Sequence, residues 1–222
     1  YKNIFNVYIL LWRMIMLLNF KPIKVFILFL FISYSFISYS NTEANSSLKT
    51  YNQLGSDSAK YTLVEYASMS CIHCANFHNN ELPKIKKDFI DTGKIKYIYK
   101  DFPLDKPAMF ASMVANCFKG EQYYEILSSL YRNQKTWVTE ANNTGKFYSA
   151  IHDTLKVHGI TLKKVLSCVD DKNPINKETW NKIIATRLEG QDKGVNSTPS
   201  FFLDEKKIDE PFNYKLLEKL VK

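Results

Sequence analysis

An α/β fold interrupted by an all-helical insertion is predicted by three observations on the 222-residue chain. An apolar run, Tyr61-Thr62-Leu63-Val64-Glu65-Tyr66-Ala67, leads into Cys71-Ile72-His73-Cys74, and a helical pattern follows at once. Far downstream, Val195-Asn196-Ser197-Thr198-Pro199-Ser200 places an X-Pro step at the entry to a second apolar run, Phe201-Phe202-Leu203. Between these β-rich ends the pattern is helical over a connection too long for an ordinary loop, so it reads as an inserted subdomain. The divisions expected are 41–50 as a flexible arm, 51–104 as the first part of the sheet-bearing fold, 105–193 as the helical insertion and 194–222 as the second part.

Residues 41–49 are polar and without periodicity, which gives a linker. Tyr61 to Ala67 carries apolar residues at both parities, the pattern of a strand buried on both faces. From 71 to 91, Phe77, Leu82, Ile85, Phe89 and Ile90 fall near helical spacing, and Pro83 removes a backbone donor and kinks the helix. Gly93 supplies its left-handed cap. Ile95, Tyr97 and Tyr99 alternate as a second strand that ends at Phe102-Pro103. Helices are expected at 108–118, 121–133, 146–158, 161–169 and 176–193, punctuated by Gly120, Gly159 and Pro174. A strand over 195–203, a tight turn at 204–207, a short strand at Ile208 and a closing helix over 213–221 complete the reading.

The net charge of +8 overstates the basicity of the folded part. Residues 1–40 hold Lys2, Arg13, Lys21 and Lys24 and no acid, which leaves +4 for residues 41–222. Pairs such as Lys86-Lys87 and Lys163-Lys164 are solvated faces, and nothing here resembles a nucleic-acid footprint. Asn19 to Lys24 forms a basic segment, Val25 to Ile32 an apolar core, and Ser38-Tyr39-Ser40 a small-residue cleavage site before Asn41, so residues 1–40 read as a signal peptide. Residues 1–13, ahead of Met14 and Met16, read as an upstream extension. The alternative is an uncleaved anchor, whose core falls short of the ~20 apolar residues a span needs. Either way the folded part faces an oxidising compartment, where paired cysteines are expected.

At the start of a helix, Cys71 lies against free N–H groups and the positive end of the dipole, which stabilise a thiolate. Cys74 sits one turn inside. A zinc site would want a second close pair of ligands, whereas Cys117 and Cys168 stand 51 residues apart, so redox chemistry is expected and no metal. His73, inside the dithiol ring, can favour thiolate over thiol and make the disulfide more oxidising; otherwise it is a plain turn histidine. Cys117 and Cys168 are either buried free thiols or, as an even pair in an oxidising compartment, a structural disulfide. The second is expected.

A strand, C-x-x-C, a helix and a late Thr-Pro before a strand, in that order, are the layout of the thioredoxin superfamily. With Leu63-Val64-Glu65-Tyr66 before the dithiol, the helical insertion, and Gly194-Val195 through Thr198-Pro199, residues 51–222 resemble the DsbA-like thiol-disulfide oxidoreductases, including α-proteobacterial members with a second disulfide. The resemblance implies a thioredoxin fold with an inserted all-helical domain. It implies Cys71 as nucleophile, Cys74 as resolving thiol, and Glu65 as a buried acid that handles the Cys74 proton; Glu65 could instead simply reach solvent at a sheet edge. It also implies a cis Thr198–Pro199 bond whose backbone pairs with an extended substrate. Ile72 departs from the family's usual proline.

The activity expected is donation of the Cys71–Cys74 disulfide to exported, cysteine-containing polypeptides in the periplasm, with a membrane or soluble redox partner for reoxidation and no cofactor. Alternatives are an isomerase or reductase of the same fold, or a non-catalytic membrane-tethered binding module. The short stretch between the cleavage site and the first strand leaves no room for the dimerisation domain of isomerases, which predicts a monomer.

Overall fold

A computed structural model describes residues 52–222; the signal peptide and the arm expected from the sequence lie outside them. The described residues form one mixed five-stranded sheet flanked by helices. Its strands are β1 (Gln53–Leu54), β2 (Tyr61–Ala67), β3 (Ile95–Asp101), β4 (Ser200–Leu203) and β5 (Lys206–Ile208), in the spatial order β1-β3-β2-β4-β5. β2 runs parallel to β3 and antiparallel to β4, and the two outer pairings are antiparallel. The strand that delivers the C-x-x-C motif is therefore the central one. A central strand has both faces covered, which fits its apolar residues at both parities.

A continuous helical run, α1, follows from Ile72 to Ile90, alternating α turns (Ile72–Asn76, Leu82–Ile85) with wider π turns (Phe77–Glu81, Lys86–Ile90). Pro83 explains the first widening: it has no N–H to give and its ring crowds the carbonyl four residues back. The bond across that stretch runs from Leu82 N–H to Phe77 O, five residues apart. The expected kink is thus taken up as an opened turn.

Between β3 and β4 come α2 (Lys106–Asn116), α3 (Gly120–Arg132), α4 (Gln134–Val138), α5 (Thr144–Leu155), α6 (Leu162–Ser167) and α7 (Pro174–Asp192); α8 (Tyr214–Leu220) closes the chain. Side-chain oxygens of Asp105, Asn143, Thr161, Asn173 and Asn213 cap five of these helices by accepting from backbone N–H groups of the first turn. Cys117, following α2, is bonded to Cys168, following α6.

One expected strand starts late, while the expected turn after it is found. The strand expected over 195–203 begins only at Ser200, because Gly194 (φ 79°) turns the end of α7 and Val195 N–H bonds back to Gly190 O. Residues 195–199 are thus cap and loop. The 204–207 turn holds Asp204 and Glu205 both at positive φ, the two-residue reversal that matches strand twist.

The main core lies between one sheet face (Leu63, Ala67, Tyr97, Tyr99, Phe201) and the helices α1, α3 and α5. On the opposite face Tyr66, Phe102 and Phe202 pack together, and α7 is tied there by Lys100 Nζ to Glu189 at 2.7 Å. α7 comes so close that a Cβ on Gly190 would stand 2.9 Å from both Phe102 Cδ2 and Tyr66 Cδ1.

Candidate active site

The end of β2 throws Cys71 to the N-terminal edge of α1, where its own carbonyl accepts from Ala75 N–H at 3.1 Å. Cys71 is half-buried, and Cys74, one turn on, is fully buried. Both are free thiols. The turn is clamped from the helical block: Gln134 Nε2 donates to Met69 O at 2.8 Å and to Cys71 O at 2.9 Å. Sequence reading missed Gln134, which stands in a five-residue helix with no period to read.

The two thiols are driven apart in acidity. The Cys71 pKa is lowered to about 5, chiefly by the hydrogen bond from the Cys74 thiol, with help from the Thr198 hydroxyl and the main-chain N–H groups of Cys74 and His73, against an opposing burial effect. Burial pushes the Cys74 thiol up, joined by the bond to Cys71 and the charge of Glu65. A thiolate on the half-buried sulfur and a proton on the fully buried one is the resting distribution this dictates.

Across from the dithiol runs the Thr198–Pro199 bond, which is cis. The Thr198 carbonyl stands 3.2 Å from Cys71 Sγ. That approach is an S–H···O bond only while Cys71 keeps its proton. The Thr198 hydroxyl is buried and bonded to nothing in the thiol form, so its O–H can turn to the sulfur once the proton leaves. The His73 imidazole is exposed, and the group this residue presents to Cys71 is its N–H.

Beside this loop opens a groove of about 780 Å³ whose walls include His73, Phe77, Pro199, Phe201 and Phe212. Glu81, Asp209 and Glu210 also line it, and among the described residues no Lys or Arg does.

Beneath the dithiol lies Glu65, fully buried in the central strand, so the sheet-edge alternative does not apply. Its Oε2 accepts from the Tyr97 hydroxyl and stands 3.1 Å from His78 Nε2. His78 is buried as well and stacks on Tyr131, with ring centroids 4.1 Å apart. Its signal in the sequence was its place four residues after Cys74, on the same side of the helix. Among the described residues no three His, Cys, Asp or Glu side chains gather as metal ligands, and no helix is long and apolar enough to cross a membrane.

A family model described as Thioredoxin matches residues 47–222. Wolbachia pipientis alpha-DsbA1, a solved structure, is 27% identical with a TM-score of 0.68, covering 78% of this chain and 90% of that one. The solved BdbD of Bacillus subtilis, in its oxidised form, shares the fold at 22% identity and TM-score 0.62, covering 77% of this chain and 90% of that one. Disulfide bond formation protein D of Bacillus subtilis is 25% identical over 173 residues, 76% of this chain and 74% of that protein. A relative from Rickettsia bellii is 29% identical over 153 residues, 68% of this chain and 56% of that protein. The chain thus spans about half the length of the rickettsial relatives it matches.

Proposed function

The chain belongs to the thioredoxin family, and from that premise we propose that it is a periplasmic thiol-disulfide oxidoreductase that donates a Cys71–Cys74 disulfide to exported, cysteine-containing polypeptides. The observation that carries this reading is the split between the two thiols: Cys71 lowered to about 5 and reachable, Cys74 pushed up and buried. A substrate thiolate attacks Cys71 Sγ, and Cys74 leaves with a proton. The substrate's second thiolate then breaks the mixed disulfide and expels Cys71 as its stabilised thiolate. Two electrons pass from substrate to enzyme. A leaving group of low pKa speeds the second step, and stabilising the reduced pair makes the disulfide the stronger oxidant.

Thr198 and Pro199 hold the substrate strand through backbone groups beside the nucleophile, and the His73 imidazole adds to the tuning of Cys71. Glu65 handles the Cys74 proton. The Cys117–Cys168 bond has a structural role. Residues 51–104 and 194–222 form the redox fold, with 105–193 inserted. The protein works as a monomer behind a cleaved export signal over 1–40, needs no cofactor or metal, and is reoxidised by a membrane or soluble redox partner.

The reduction potential of the pair, equilibrated against glutathione, tests the direction. A value well above the roughly −270 mV of cytosolic thioredoxin is expected. A value at or below it would favour the reductase reading. In parallel, Cys74→Ala should accumulate mixed disulfides through Cys71, and Cys71→Ala should accumulate none.

A further inference from the structure

The Glu65 carboxylate is held by one oxygen only. Oε2 takes both the Tyr97 hydroxyl and His78 Nε2–H, while Oε1 is buried with no hydrogen-bond partner among the described residues. A buried carboxylate oxygen left unbonded is costly, so its persistence calls for a role. The two donors come from different elements, Tyr97 from the neighbouring strand β3 and His78 from α1 one turn beyond Cys74. Burial keeps the Tyr97 hydroxyl protonated, well above its ordinary value, so it is a permanent donor. Stacking on Tyr131 fixes the His78 ring, and the Tyr131 hydroxyl is itself within 2.8 Å of the Tyr99 hydroxyl. The titratable groups that face this carboxylate are Cys74 and His78 on α1, Tyr97 and Tyr99 on β3, and Tyr123, Tyr124 and Tyr131 on α3.

We infer that His78 and Tyr97 are positioning residues that pin Oε2 so that Oε1 is the acceptor and donor of the Cys74 proton. The inference rests on the oxidoreductase reading above. During reoxidation the Cys71 thiolate attacks the partner's disulfide and one partner thiolate leaves. The Cys74 thiol passes its proton to Oε1, its sulfur attacks Cys71 Sγ, and the second partner thiolate leaves. The dithiol loses two electrons and the partner disulfide gains them. When the disulfide is donated to substrate, Oε1 returns the proton to Cys74. The side-chain lean of helical residues toward the N-terminus brings His78 over the turn that carries Cys74, which places the pinning donor beside the proton it governs.

Reduced protein mixed with the aromatic disulfide dithiobis(nitrobenzoate) separates the steps. Attack by Cys71 releases one coloured thiolate, and resolution by Cys74 releases the second. His78→Phe should slow the second phase about tenfold, leave the first within about twofold, and shift the pH inflection of the second, since it removes part of a general acid–base contribution. His78→Gln, which keeps an N–H donor, should restore most of the rate, and Tyr97→Phe should slow the second phase in the same sense. Should His78→Phe fail to fold, Tyr97→Phe and His78→Gln carry the test alone. A second phase unchanged in rate and pH profile in Tyr97→Phe or in a folded His78→Phe overturns the inference, as does His78→Gln performing no better than a folded His78→Phe. A wild-type protein with no first phase would instead overturn the oxidoreductase reading itself.

Discussion

The sulfur of Cys71 lies 3.2 Å from the carbonyl oxygen of Thr198, 127 residues away in sequence. Nucleophile and cis-proline loop therefore form one unit, and the protonation of Cys71 decides the sign of their interaction. As a thiol it donates to that carbonyl. As a thiolate it faces the carbonyl as a second acceptor and depends first on the Cys74 thiol, then on the Thr198 hydroxyl and the helix N–H groups.

Thr198→Val should accordingly raise the Cys71 pKa from about 5, seen as a shifted inflection in thiolate absorbance and alkylation rate. His73→Ala should raise it less, because the backbone N–H at that position survives the change. A larger shift from His73→Ala than from Thr198→Val would reverse the assignment.

The same acidity links redox state to pH. A folded-state thiol pKa below the unfolded value stabilises the reduced fold at high pH, and that contribution disappears as pH falls through the folded value. The depressed Cys71 should therefore favour the reduced protein increasingly as pH rises from about 5 toward the ordinary thiol value of about 8.5. Cys74, shifted the other way, works against the fold only above that value. Chemical denaturation of reduced and oxidised protein across this window checks it. A pH-independent difference between the two states would contradict the assignment.

Removing the Cys117–Cys168 bridge by double alanine substitution should lower stability by about 4 kcal/mol on the chain-entropy account of a loop of 51 residues. Thiol exchange should persist in the folded fraction, because the bridge joins two helix ends of the insertion and bonds to neither Cys71 nor Cys74. Thermal unfolding and a turnover assay on the same preparations separate the two effects.

Gln134→Leu strips two donors from the Met69 and Cys71 carbonyls. The Cys71 carbonyl keeps Ala75 N–H, but an unmet buried carbonyl at Met69 costs about 1–3 kcal/mol, and the looser turn should slow exchange as well as lower the unfolding midpoint. An effect on stability alone would mean that the clamp does not reach the chemistry.

Gly190→Ala sets two effects against each other. Alanine gains about 1 kcal/mol of helix propensity, but its Cβ would enter 2.9 Å from two aromatic rings, an overpacking that costs about 1–3 kcal/mol. Destabilisation should win. A stabilised variant in denaturant titration would show that Phe102 and Tyr66 give way.

The elements whose residues declare themselves locally were legible in the sequence. β2 carries apolar residues at both parities, four capped helices of the insertion and the closing helix start at Asp, Asn or Thr, and Cys71-x-x-Cys74 stands between strand and helix. What escaped were features made by distance. β1 is two residues long on a sheet edge, too short for any period, and α4 is a single turn whose Gln134 matters only through what it reaches. Val195 looks like the start of a strand because it is apolar, but it is a helix cap whose side chain packs with Tyr66 and Phe202. The tie between Glu65 and Tyr97 depends on the parallel pairing of β2 with β3, which sets Leu63 beside Tyr97 and Glu65 beside Tyr99. No single run of sequence displays that register.

The Cys117–Cys168 bond also bears on how the protein comes into being. A newly made copy carries four thiols, and the finished molecule has two of them locked between helix ends. On the proposed reading, maturation requires the very reaction that the mature protein performs. Each copy is then a client of an earlier one, and what is passed on is stability, since exchange itself does not need the bond.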